Sequence, residues 1–188
     1  MAFEGFDLTD FWEKTSNYAR DNYIGPPPTD ELIRSVEEEL GYKLPESYIA
    51  LMRTQNGGFS KKTAFPTDTP TSWAEDHIAI ESFLSIGRGK MYSLCGKLGS
   101  RFMIEEWGYP DIGVAICDCP SAGHDMVFLD YRDCGPQGEP KVVHIDQEDD
   151  YLITPLADTF EEFIRGLVYE SDYDYDDEDE EEQEEEEP

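Results

Sequence analysis

Three features of the sequence predict an α+β fold: amphipathic helices grouped at the start, short strand-like runs without helices between them in the second half, and a closing helix. N-terminal helices and a C-terminal helix are expected to pack on a mainly antiparallel central sheet, with a disordered acidic tail after it. Three segments follow: an N-terminal helix and Pro-rich linker over residues 1–28, a core domain over 29–169, and the tail over 170–188.

Residues 7–23 read as a short amphipathic helix, capped by Asp7, with Leu8, Phe11, Thr15 and Tyr18 forming one stripe. The run Gly25-Pro26-Pro27-Pro28 ends it, because proline cannot continue a helix. This first helix is expected to be an appendage. Thr29 then caps a stronger helix whose apolar face is Leu32, Ile33, Val36 and Leu40, stopped by Gly41. Pro45 opens a second helix carrying Tyr48, Ile49, Leu51 and Met52, which ends at Asn56-Gly57-Gly58, so the two form a helical hairpin.

Residues 59–75, rich in Thr, Pro, Lys and Ser, predict a long surface loop with Trp73 in it. Trp73 is either an exposed aromatic or folded back on the core. His77 to Ile80 reads as a short strand, and residues 92–107 as a helix with Leu94, Leu98, Phe102 and Ile104 inward. Strand signals over 113–117, 126–131, 141–145 and, weakly, 151–154 are separated by turn residues and predict an antiparallel meander. Residues 156–168 close the domain as a helix with Leu156, Phe160, Phe163, Ile164 and Leu167 on one face.

Charge narrows the function classes. The chain carries 44 acids against 14 bases, a net charge of −30. Residues 170–188 supply 14 of those acids and no base, leaving −16 on the rest. A segment with no aliphatic residue cannot offset its ordering entropy, which is why the tail is expected to be disordered. An acidic body repels phosphate backbones and anionic lipid headgroups, so neither nucleic acid nor a membrane surface is the expected partner. It favours a basic protein partner and fast encounter with it, although acidity also serves solubility alone. No apolar run approaches the roughly 18 residues of a membrane span, and the first residues show no secretory signal, so the expected compartment is the cytoplasm.

Catalytic patterns are missing. Gly87-Arg88-Gly89-Lys90-Met91 lacks the spacing of a phosphate loop, and Met91 stands where a Ser or Thr would hold magnesium. Asp172, Asp174 and Asp176 mimic the start of a calcium loop, yet Asp177 replaces its glycine and Gln183 its bidentate Glu. Ser121, His124 and Asp125 offer triad residue types within a single turn, where sequence proximity says nothing of geometry. Cys95, Cys117, Cys119 and Cys134 include no CxxC pair, so neither a disulfide framework nor a zinc site with His124 is expected. No enzyme activity, cofactor or metal is therefore predicted.

Taken together, several motifs resemble the SUKH superfamily, which unites yeast cell-wall-synthesis regulators (the Smi/Knr type) with bacterial toxin-immunity proteins. They are the helix from Asp30 to Gly41, Leu44-Pro45-Glu46-Ser47-Tyr48, Gln55-Asn56-Gly57-Gly58, Trp107-Gly108-Tyr109-Pro110, the segment from Ala122 to Tyr131, and Phe160-Glu161-Glu162-Phe163-Ile164. They span about residues 29–168. The first helix, the tail and the length of the 59–75 loop depart from the shared pattern. The resemblance implies an α+β fold, no catalysis, and action by binding proteins. It implies an immunity protein that neutralises a cognate toxin domain, often a nuclease; the alternative is a regulatory hub or scaffold. Partners differ from member to member, so the resemblance assigns no contact residue. Aromatic anchors with charged rims suggest Trp73, Glu75, Asp76, Trp107, Tyr109, Asp111 and Asp118 as partner-binding candidates, with core packing the alternative for Trp107 and Tyr109. Oligomeric state is not readable.

Overall fold

The computed structural model describes residues 1–173. Its centre is a six-stranded antiparallel sheet in the order β1 (Gly58–Phe59), β4 (Ser82–Phe83), β5 (Gly113–Asp118), β6 (Asp125–Asp130), β7 (Lys141–Asp146) and β8 (Leu152–Ala157). β2 (Ala64–Pro66) and β3 (His77–Ala79) form a separate antiparallel pair. Helices α2 (Asp30–Leu40), α3 (Glu46–Thr54) and α5 (Phe160–Gly166) bring apolar faces to one side of the sheet, meeting Val114, Ile116, Val127, Leu129 and Val142. The α+β class, the helical hairpin and the meander follow the expected layout.

The sheet is covered on its other face as well. Met103 from α4 (Ser100–Glu105) joins Tyr109, Ala115, Met126, Phe128, Val143 and Ile145 there, with Trp107 and Tyr151 packed against them. Every residue of β5 and β6 is therefore buried, rather than alternate ones. A strand covered on both faces reads as a continuous apolar run, as Val114-Ala115-Ile116-Cys117 does. A register shift between Ala115 and Cys117 lets Ile116 and Cys117 both reach the helix-side core.

Four local expectations are corrected. Residues 7–23 are not one helix: α1 covers only Asn17–Asn22, and what precedes it is a set of turns. Nor is this segment an appendage, since Phe3 and Trp12 are buried in the main core, and Trp12 Nε1 donates to Thr54 Oγ1 at 2.9 Å. Phe11 and Trp12 meet edge-on at 4.8 Å and both pack near Phe83. Long-range burial fixes these residues where helix propensity does not. Second, residues 92–99 are turns, with only Ser100–Glu105 helical; a Cβ at Gly99 would lie 2.5 Å from the Leu94 carbonyl oxygen, too close for any side chain. Third, the 59–75 loop contains β2, and its remainder folds back so that the Ser72 N–H donates to Asp146 Oδ2 at 3.2 Å.

The fourth correction is at the tail. Glu170–Tyr173 forms a 3-10 turn, and the Tyr173 ring stacks on the buried His77 at 3.8 Å while Glu170 Oε1 lies 3.2 Å from His77 Nε2. The other His77 nitrogen bonds Asp76 Oδ1 at 2.8 Å, so a tail segment without apolar aliphatics is held by a ring face and a polar contact. The rest of the expected disordered tail, with the calcium-loop mimic from Asp174 onward, lies outside the described residues. Among the described residues no helix is long and apolar enough to cross a membrane.

Candidate functional site

A groove of about 470 Å3 opens where β5 leaves the sheet. One wall comes from the start of the chain: Tyr18 on α1 and Tyr23, its C-cap residue. The turn after β4 adds Tyr92 and Leu98, and α4 adds Phe102 and Met103, continued by Trp107. The turn between β5 and β6 closes it with Pro120, Ala122 and Gly123. Gly123 has φ +93°, and a Cβ there would meet the Trp107 ring at 3.1 Å, so the absence of a side chain lets the indole lie against this turn.

Two carboxylates sit among these rings. Asp118 is 7% exposed, and the Tyr23 hydroxyl donates to its Oδ2 at 2.7 Å. Burial pushes its carboxyl up to about 7, the Tyr23 hydrogen bond opposes this, and the nearby Glu81 charge adds to it. Glu81, exposed at the rim, is also raised by partial removal of its carboxyl from water. Ser82, opposite Asp118 in the β4–β5 ladder, brings a buried hydroxyl beside the carboxylate. No ion pair among the described residues involves either acid. Tyr23 and Tyr92 stack face to face at 4.4 Å with planes 5° apart, and burial pushes the Tyr92 hydroxyl up to about 12. Tyr18 is 53% exposed, with its ring 6.2 Å from that of Tyr23.

A larger concavity, about 560 Å3, lies between the end of α2 and α4 and holds Asp111. Its bases are already engaged: Arg101 pairs with Glu105 at 3.2 Å and Arg132 with Asp130 at 2.7 Å. Both of its bases thus already pair with carboxylates, whereas the aromatic groove offers two acids, Asp118 and Glu81, beside apolar rings.

The structure divides the sequence-predicted residues into three places. Trp107 and Asp118 line the groove. Tyr109 lies behind it at 2% exposure, its hydroxyl donating to the Gly123 carbonyl at 2.6 Å, so it shapes the wall and presents no surface. Trp73 (43% exposed), Glu75 and Asp76 share the 67–76 loop and do not line the groove, and Asp111 lies in the second concavity. Sequence reasoning missed Tyr18 as an exposed ring, having placed it on a buried stripe, and missed Tyr23, Glu81 and Tyr92 altogether. No local signal joins them: Tyr23 and Asp118 lie 95 positions apart and meet only in the fold.

The cysteines and His124 do not converge as a zinc set. His124 is half exposed, 3.6 Å from Glu148, with its ring edge-on to Trp107. The group that does converge is Cys119, Asp125 and His144, whose candidate ligand atoms lie within 4.8 Å of one another, all buried. In it His144 Nε2 and Asp125 Oδ2 share a 2.7 Å hydrogen bond, and the Asp125 N–H donates to Ser121 Oγ at 3.0 Å. Burial pushes the Asp125 carboxyl up, but the hydrogen bonds from His144 and Ser121 prevail and hold it below the usual range. The arrangement ties the β5–β6 turn to β7. The Ser121–His124–Asp125 set forms no triad: Asp125 is bonded to His144, not to His124.

The chain matches the family model SUKH_6, described as SMI1-KNR4 cell-wall, over residues 30–164. It therefore belongs to this family, which includes toxin-immunity proteins and Smi1/Knr4 regulators and is generally non-catalytic. No curated protein and no solved structure gives a match.

Proposed function

We propose that this chain is a non-enzymatic protein-binding module, an immunity protein that binds and neutralises a toxin domain with a basic surface, such as a nuclease. Membership of a family that includes immunity proteins carries the reading. The electrostatics support it: a nuclease attracts phosphate with basic residues, and an acidic inhibitor meets that surface with a high on-rate. The groove adds what a charged surface alone lacks, namely aromatic rings beside carboxylates outside every ion pair of the described residues. A second reading, a regulatory hub that gathers basic segments of several proteins, is favoured by the 12 acids and no base of residues 174–188.

Affinity capture at low and moderate salt separates the two, with the full chain and a chain ending at Tyr173 as baits. A single basic partner, purified and rebound one-to-one by both, is the result expected for an immunity protein. Many partners, all lost on truncation or in moderate salt, would replace it with the hub.

A further inference from the structure

We propose that the groove receives an arginine side chain of the protein partner, its guanidinium lying against the aromatic walls and pairing with Asp118 and Glu81. The inference rests on the protein-binding reading and names the chemistry at its centre.

Three observations meet here. The floor holds a nearly buried carboxylate and a second one at the rim, neither in any ion pair of the described residues. The walls are aromatic: Tyr18 is exposed, Tyr92 and Trp107 are half-buried, and Tyr23 backs Tyr92. Two cations of the chain itself are held elsewhere, with Lys90 Nζ donating to the Arg20 carbonyl at 2.9 Å and Arg101 pairing with Glu105.

A cation over an aromatic face gains most when both are withdrawn from water, and a carboxylate left without a partner in that setting favours any cation that can reach it. A guanidinium suits the site better than an ammonium. It is planar, stacks on rings, sheds water more readily, and presents five donors that can serve two carboxylates at once. The occupant comes from a partner because the chain is poor in bases, and a groove of about 470 Å3 accommodates one long side chain rather than a helix.

The test uses N-acetyl-arginine methylamide, followed by two-dimensional 15N–1H spectra of the full chain. N-acetyl-citrulline methylamide, of the same shape but uncharged, is the control. The expected result is saturable movement of the Trp107 indole N–H and the Gly123 amide, with citrulline binding roughly tenfold more weakly. Glu81→Gln and Asp118→Asn should each weaken the arginine probe about tenfold. If Asp118→Asn perturbs the whole spectrum, Glu81→Gln and Tyr18→Ala at the exposed rim decide the matter. Equal binding of arginine and citrulline, or shifts spread over the acidic surface and unchanged in Glu81→Gln, would overturn the proposal.

Failure of the groove and failure of the wider reading are distinguishable. A captured partner that binds the Glu81→Gln protein and, where folded, the Asp118→Asn protein as tightly as the parent overturns the groove and leaves protein binding intact. An arginine titration that succeeds while no partner is captured supports the groove's chemistry and counts against the immunity reading.

Discussion

Asp118 carries an electrostatic cost that should be visible in stability. Its carboxyl is raised by burial to about 7, above the 3.8 of an ordinary aspartate, with Glu81, Tyr23, Tyr92 and Ser82 as its ionisable and polar neighbours. The folded state therefore holds the proton more tightly than the unfolded state. The stabilisation is fully present below about pH 4 and is lost as pH rises through about 7, amounting to as much as about 4 kcal/mol. Asp118→Asn removes that dependence, so urea unfolding at pH 5 and pH 8 should show a smaller loss for the variant than for the parent. An equal loss in both would mean that Asp118 is ionised throughout. A cationic partner group needs the ionised form, so partner binding should tighten as pH rises through the same window. Little of this was legible in the sequence. Asp118 was suggested as a rim acid, but its burial depends on Tyr23, 95 positions away, and on the stack with Tyr92.

At the level of elements, the segment from α2 to Asn56 was readable because its periodicity and its caps agree. Thr29 Oγ1 accepts from the Leu32 N–H at 3.1 Å, and Gly41 ends α2 at φ +79°. Asn56 turned out to do more than end a helix. Its Oδ1 accepts from the Ile86 N–H at 2.8 Å, and its Nδ2 donates to the Pro26 and Ile86 carbonyls, both at 2.9 Å. One buried side chain thus joins the proline linker, the end of α3 and the segment after β4. Asn56→Ala leaves those backbone groups unpaired and should destabilise the fold by about 3 kcal/mol, measured by urea unfolding. A change below about 0.5 kcal/mol would show that water replaces the amide. The elements that sequence misjudged, residues 7–16 and 92–99, are turns held by distant partners: the Glu13 N–H donates to the Phe59 carbonyl at 2.9 Å, and the Tyr92 N–H to the Asn22 carbonyl at 3.0 Å. Local periodicity contains no trace of such contacts.

For the whole molecule, the sheet is closed on both faces, and the start of the chain helps to build the core and the groove together. The described contacts run past Tyr169 to Tyr173, whose ring stacks on His77. A chain ending at Tyr173 should unfold with the parent, whereas one ending at Tyr169 should lose about 1 kcal/mol, and indistinguishable melting of the two would remove any role for the Glu170–Tyr173 turn. The central claim is that this acidic body meets a basic protein through the groove. Hydrogen–deuterium exchange of the full chain with and without the captured partner tests it most directly. Protection concentrated in residues 18–23, 91–98 and 119–124 is the predicted result; protection confined to the α2–α3 hairpin, or to residues 174–188, would contradict it.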